Sequence, residues 1–271
     1  EQAIYSNLAK RVKSQSEKDT LQRISKEEGI HSKIWEKYTN KKLTPNRLKV
    51  FFYTLLSIVF GYTFTIKIME KGEKNAQDIY TKLAAEVPEA KQIHKEEEEH
   101  EYALIALLDE ERLQYVGSMV LGLNDALVEL TGTLAGLSFA LQNNRLVALS
   151  GLITGISATL SMASSEYLSA RSEGDANALK SSLYTGIMYL FAVALLVLPY
   201  LILPLDKYVP ALISMLLIVV IIIFAFTYYI SVAKDLPFKK RFLEMAIISL
   251  SVAALSFVVG VLVKKFLGID I

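Results

Sequence analysis

Charge divides this chain in two. Of its 57 charged side chains, 38 fall in residues 1–112, split evenly between basic and acidic, and the other 159 residues hold 19, nearly all in short connecting segments. A soluble domain spreads charge over its whole surface, so this distribution calls for one solvated part and one part in an apolar medium. A net charge of +1 with no basic stripe excludes a nucleic-acid footprint. The absence of cysteine removes disulfides, thiolate metal sites and cysteine nucleophiles together. The chain opens at Glu1 without a methionine, in residues that already read as helix, so further residues are expected before it. No cleavable signal-peptide pattern is visible, which leaves the first part unexported.

Five apolar segments, near 114–141, 146–170, 182–204, 209–232 and 242–263, are long enough to cross a hydrocarbon core. Such a core is about 30 Å thick and takes about 20 helical residues. The turns Gln142 to Arg145, Leu205 to Tyr208 and Lys234 to Arg241 are short, so neighbouring spans run antiparallel. Tyr200, Tyr208, Tyr228 and Tyr229 fall near the expected interfaces, where amphipathic rings collect. An odd number of spans puts the two ends of the chain on opposite sides. Arg171, Lys180, Lys234, Lys239, Lys240 and Arg241 lie on the side of the charged domain, with Arg112 beside the first span. Arg145, Lys207, Lys264 and Lys265 lie on the other. Basic residues concentrate in cytoplasmic loops, so the charged domain is expected in the cytoplasm of a multi-pass cell-membrane protein.

Val50 to Ile66 is a further run of 17 residues without a charge. It is marginal in length for a sixth span, and Tyr53, Thr54, Ser57, Gly61, Tyr62, Thr63 and Thr65 make it rather polar. The preferred reading is a core helix of the first domain that leans on the membrane surface.

Three acids stand inside the spans without a basic partner. Asp125 and Glu129 are four apart on the first span, and Met162 and Glu166 are four apart on the second, so each pair shares a helical face. A charge in the bilayer centre costs on the order of 3 kcal/mol on insertion scales, so such residues usually face a pathway or a partner. Unpaired acids there hold either protons or a cation. Glu166 is close enough to a span end to snorkel instead; Asp125, mid-span beside Asn124, is not. Met162 alone would be core filling, but a thioether one turn from Glu166 adds a soft ligand that suits a transition metal. Gly132 and Gly136, then Gly151 and Gly155, allow close helix packing or dimerisation.

In the first domain helices are expected over 1–15, 18–40, 47–86 with a break near Gly61, and 88–112, an all-α four-helix bundle. Glu28/His31 and Glu97/His100 stand in Glu-x-x-His spacing on different helices, so each helix offers an oxygen and a nitrogen from one face. Glu70 and Glu73 add carboxylates from a third helix, and Glu1 from the first. Carboxylates from two helices and Glu-x-x-His from two others make a di-iron arrangement. On its own, the run Glu96 to Glu99 reads as well as a solvated acidic face. His94 has no such partner and reads as a surface residue; Trp35 and Tyr38 read as packing.

The order Glu1, Glu28/His31, Glu70/Glu73, Glu97/His100 over residues 1–112 resembles a rubrerythrin-type ferritin-like domain, in which both carboxylates of the Glu-x-x-Glu pair can be ligands. The second part, 113–271, is similar to the vacuolar iron transporter family through Leu123-Asn124-Asp125-Ala126-Leu127-Val128 and Ser161-Met162-Ala163-Ser164-Ser165-Glu166-Tyr167. That family has five spans, works as dimers, and lines its metal path with the first-span Asp and the second-span Met and Glu. Its eukaryotic members carry a Glu-rich insert after the second span, whereas here only Arg171 to Lys180 intervene; Glu129 also departs from the usual motif. The whole resembles prokaryotic membrane-bound ferritin-like iron exporters.

The resemblance implies an Fe2+ transporter, with Mn2+ suiting the same ligands, that exchanges metal for protons and exports it from the cytoplasm as a homodimer. The bundle is expected to hold iron, with manganese or zinc as substitutes, and to deliver or sense it. The rival reading is a di-iron ferroxidase or peroxidase that uses the spans only as an anchor; a third is a cation channel or manganese transporter. An anchor has no need of intramembrane acids.

Overall fold

The computed structural model describes residues 1–70, 87–106 and 114–267, and every regular element among them is helical. The chain separates into two compact units, Glu1–Gln114 and Tyr115–Ile271. The expected boundary at residue 112 lies outside the described residues.

The first unit contains α1 (Gln2–Ala9), α2 (Gln15–Thr39), α3 (Arg47–Phe60), α4 (62–70) and α5 (Glu89–Ala106). α1 is shorter than expected: Ser14 adopts an extended backbone and starts α2, so α1 stops at Ala9. Ile4, Tyr5, Leu8 and Ala9 pack against Leu21 and Ile24 of α2, Ile66 and Met69 of α4 and Leu104 of α5. Each large apolar side chain buried in this way contributes about 1.5–3 kcal/mol. The buried stripe of α2 runs Leu21, Ile24, Glu28, His31, and that of α5 runs Ala90, Ile93, Glu97, His100, Leu104. Both keep helical spacing throughout, so the polar pairs occupy core positions on the same face as the aliphatic ones.

The long third helix breaks where the sequence suggested. Gly61 sits at φ 93, a backbone that residues with a Cβ rarely adopt. The break separates two environments. Thr63, Phe64, Thr65 and Ile66 of α4 are buried, whereas α3 has no buried residue. At 14 residues α3 is about 21 Å long, too short to cross the hydrocarbon core. The apolar run is therefore not a sixth span, and only its second part is core.

The second unit contains five helices long and apolar enough to cross a membrane: α6 (Val116–Leu141), α7 (Asn144–Ser172), α8 (Ala178–Ile202), α9 (Tyr208–Ala233) and α10 (Phe238–Leu267). They match the expected segments within a few residues at most ends, because hydropathy over some 20 positions leaves little freedom. α6 and α7 join through two residues. Gln142 takes the left-handed region at φ 48, and the Asn143 side chain accepts from the backbone N–H of Arg145 and Leu146, capping α7.

α6 touches all four other helices and is the hub of the unit. Two contacts require glycine. A Cβ at Gly122 would stand 2.2 Å from the backbone oxygen of Thr185 on α8, and one at Gly260 on α10 would stand 2.6 Å from the oxygen of Gly136. Gly151 and Gly155 face Leu134, Val193 and Val197. The small-residue spacings thus serve packing inside one chain. Tyr200 and Tyr229 are likewise buried rather than placed toward lipid, and the Tyr200 hydroxyl lies 2.8 Å from Ser138 Oγ.

Candidate metal sites

In the first unit, α2 and α5 bring their Glu-x-x-His pairs face to face. Glu28 is 6 % exposed, His31 3 %, Glu97 7 % and His100 2 %. The imidazoles stack with centroids 5.8 Å apart. His31 Nδ1 lies 3.1 Å from Glu97 Oε1 and its Nε2 2.7 Å from Glu96 Oε2, while His100 Nε2 lies 2.6 Å from Glu27 Oε2. Each histidine is therefore held by acids of the opposite helix. Glu27 and Glu96 were not picked from the sequence, because pairing across helices leaves no mark in the spacing along either one.

Three ligand atoms remain. Among the described residues, Glu28 Oε1, Glu97 Oε2 and His100 Nδ1 are buried without a hydrogen-bond partner. They turn toward one another, with Nδ1 3.5 Å from each oxygen, and ligand atoms of these residues lie within 4.8 Å of each other. Buried polar atoms left unsatisfied are costly, and two carboxylates with one imidazole nitrogen are a donor set for a divalent transition metal. The residues fit a metal.

The charges agree. Burial alone would raise Glu97, but the imidazoles of His100 and His31 beside it outweigh that and hold the carboxyl at about 2. Burial would lower His100, yet the carboxylates of Glu28, Glu97 and Glu27 around its ring push it up to about 10. His31 is raised too, burial being outweighed by its bonds to Glu97 and Glu96. In the metal-free bundle the imidazoles thus keep protons that balance the surrounding carboxylates.

Glu1 belongs to the same neighbourhood. Ser25 Oγ donates to the Gln2 carbonyl at 2.9 Å, which pins the start of α1 to α2. The Glu1 carboxyl is raised by the burial around it and then by the charge of Glu28. Glu1, Glu28, His31, Trp35 and Glu97 line a cavity of about 360 Å³. Glu70 is partly buried on α4 and does not join the group of three within 4.8 Å; Glu73 lies outside the described residues. His94 is partly exposed, 3.8 Å from Glu98. The run Glu96 to Glu99 is not one face: Glu97 is buried and Glu98 and Glu99 are exposed.

In the second unit the acids meet hydroxyls. Ser118 Oγ donates to Glu166 Oε1 at 2.6 Å, linking α6 to α7, and Thr185 Oγ1 donates to the Ser118 carbonyl at 3.0 Å. The Tyr189 hydroxyl on α8, fully buried, donates to Glu129 Oε2 at 2.9 Å. Asp125, Met162 and Glu166 are partly buried and Glu129 is exposed. Asp125, Glu129 and Glu166 do not gather into one ligand group in the way the bundle residues do. Ser118, the partner of Glu166, precedes Asp125 by seven residues, about 10 Å along α6. Glu244, an exposed acid near the start of α10, is a further carboxylate within the fifth span that the sequence reading did not single out.

A family model described as the VIT family matches residues 116–178, which is α6, α7 and the loop that follows. The matched stretch contains Asp125, Glu129, Met162 and Glu166, and it supports the resemblance to vacuolar iron transporters over that part of the chain. No curated protein and no solved structure matches the chain.

Proposed function

We propose that this chain is a proton-coupled transporter of Fe2+, with Mn2+ accepted by the same ligands, that exports metal across the cell membrane. One observation carries the reading: the family match falls on the two helices that hold the intramembrane acids and Met162. Asp125 and Glu129 on α6 and Met162 and Glu166 on α7 take the ion across. Oxygen donors with a thioether favour a transition metal over sodium or calcium. Carboxylates release protons when they take a metal, which gives antiport a direct physical basis. Partly open acids at membrane depth are costly to leave against lipid, so a second copy of the chain closes the path. The excess of basic residues in the loops on its side supports a cytoplasmic first unit.

The first unit, on this reading, is a ferritin-like bundle that binds a pair of iron ions and delivers or senses the metal. Glu28, Glu97 and His100 hold one ion, and Glu1, His31, Glu70 and Glu73 complete the set. A bound iron pair would supply redox chemistry there, so ferroxidase-type activity is compatible with transport. A simple membrane anchor accounts for none of the acids on α6 and α7.

The test is Fe2+ flux into proteoliposomes across a panel of ions, with and without a pH gradient. Asp125→Ala and Glu166→Ala should each reduce flux to the protein-free background. Retained flux in both variants removes the path assignment, and flux indifferent to the pH gradient removes proton coupling.

A further inference from the structure

The outward face of α3 has a chemistry that neither metal site uses. Leu48, Phe51, Phe52, Leu55 and Ile58 are 79, 67, 55, 45 and 49 % exposed. Their spacing of three and four makes one apolar stripe along the helix. The opposite face, Val50 and Tyr53 with Thr54, turns to the bundle, where Thr54 Oγ1 accepts from the Asn7 side chain at 3.2 Å. A soluble domain does not leave such a stripe to water without a partner.

The flanking charge says what the partner is. Residues 37–69 hold six basic side chains and no acidic one, inside a domain whose charges balance as a whole. Four of them, Lys41, Lys42, Arg47 and Lys49, are exposed at the start of α3. A helix with an apolar stripe and basic flanks suits the headgroup layer of an anionic bilayer, and a chain with five span-capable helices is already tethered to one. A second copy fits less well. A two-fold contact through α3 sets this acid-free segment against itself, so the four basic residues gain no opposite charge. The helix is also formed in advance. Asn46 caps it by accepting from the backbone N–H of Leu48 and Lys49 at 3.1 and 3.2 Å, so no folding cost is paid on binding.

We infer that α3 is an interfacial anchor: it lies in the plane of an anionic lipid surface, with Leu48, Phe51, Phe52, Leu55 and Ile58 in the acyl boundary and Lys41, Lys42, Arg47 and Lys49 on the headgroups. This goes beyond the transport reading and does not depend on it.

The absence of cysteine makes the test clean, since single cysteines can carry spin labels in the full chain. Phe52→Cys and Ile58→Cys probe the stripe, and Lys26→Cys on the exposed side of α2 is the control. In phosphatidylglycerol-containing vesicles the first two labels should collide with oxygen in preference to an aqueous nickel chelate, and the control should do the reverse. Replacing Lys41, Lys42 and Arg47 together with Glu should shift the partition of α3 toward water by at least about tenfold. Pure phosphatidylcholine or high salt should act in the same direction. These three side chains are exposed, and unchanged helicity checks that the variant folds. Water-accessible labels at 52 and 58 in anionic vesicles overturn the inference. Protection that survives charge reversal, with short label-to-label distances between copies, overturns it too and assigns the face to a second copy.

Discussion

The two units hold their acids in opposite ways. In the bundle, Glu27, Glu28, Glu96 and Glu97 enclose the imidazoles of His31 and His100, and every nitrogen of those two rings lies within 3.5 Å of a carboxylate oxygen. In the membrane unit, Glu166 and Glu129 each meet one neutral hydroxyl, of Ser118 and Tyr189, and α6 carries no basic side chain at all. A proton or a metal in the bundle is surrounded by several opposite charges at once, whereas an ion on α6 or α7 meets few ligands at any one level. Tight enclosure suits a site that keeps its metal. Sparse, spaced ligands suit one that passes metal on, because conduction needs binding weak enough to reverse.

Flux measured in Asp125→Ala and Glu166→Ala has the largest expected effect, because each variant loses a carboxylate charge and the neighbouring donors, the Asn124 amide and the Ser118 hydroxyl, are neutral. The next largest breaks the bundle side of the comparison. His100→Ala removes the cation that compensates buried Glu97 and Glu28, and breaking a buried pair from one side costs on the order of 3 kcal/mol. Trp35, the chain's only tryptophan, lines the adjoining cavity, so its fluorescence during denaturant unfolding of the metal-free protein reads this directly. An unchanged midpoint would mean that the histidine is not compensating those acids.

The pH dependence sharpens the same point. Glu97 is held at about 2 against an ordinary 4.5, so its contribution is present above 4.5 and is lost as pH falls toward 2. His100 is held at about 10 against 6.5, so its contribution is full below 6.5 and is lost as pH rises toward 10. Both act together between 4.5 and 6.5, and the metal-free bundle should be most stable there. Metal affinity should move the other way, still rising as pH climbs toward 10, because the metal must displace the proton that His100 holds up to about that pH. Calorimetry in buffers of different ionisation enthalpy counts that released proton.

How much of this was legible in the sequence depends on whether the information is local. The five apolar helices were, because hydropathy over some 20 residues is a local sum. The faces of Glu28/His31 and Glu97/His100 were, because helical spacing fixes them. The partners of those faces were not: Glu27 is four residues from His31 yet bonds His100. Ser118 and Tyr189 went unnoticed for the same reason, since a hydroxyl on an apolar helix means little until another helix is laid against it. The break near Gly61 is legible in the run Val50 to Ile66, but its consequence is not: the second part enters the core and the first part faces out. Composition points the wrong way here, because residues 50–60 are the more apolar part and yet they face out.

Tyr189→Phe tests the membrane side more gently. It removes one hydrogen bond to Glu129 and keeps the ring that fills the space between α6 and α8. Hydrogen bonds to charged groups are worth about 1.5–3 kcal/mol, which caps the loss of transport at roughly a hundredfold; with Glu129 exposed, a severalfold loss is expected. If Tyr189 only positions Glu129, the variant should change the apparent affinity for Fe2+ and its dependence on pH more than the maximal rate. An equal effect on all substrates and at all pH values would mean that the ring, not the hydroxyl, matters.

The smallest effect separates neighbours within one run of acids. Glu97→Gln and Glu98→Gln change the same charge one position apart on α5. Glu98 is exposed, and surface changes of this kind usually stay within about 0.5 kcal/mol, so stability and metal binding should hardly move. Glu97 faces both histidines, and losing its charge should lower the proton affinity of each imidazole and weaken metal binding in the bundle. Intramembrane flux through Asp125 and Glu166 should survive both changes in chains whose first unit stays folded. If Glu97→Gln abolished flux as well, the two carboxylate sets would act as one path, and the contrast between a keeping site and a passing site would fail.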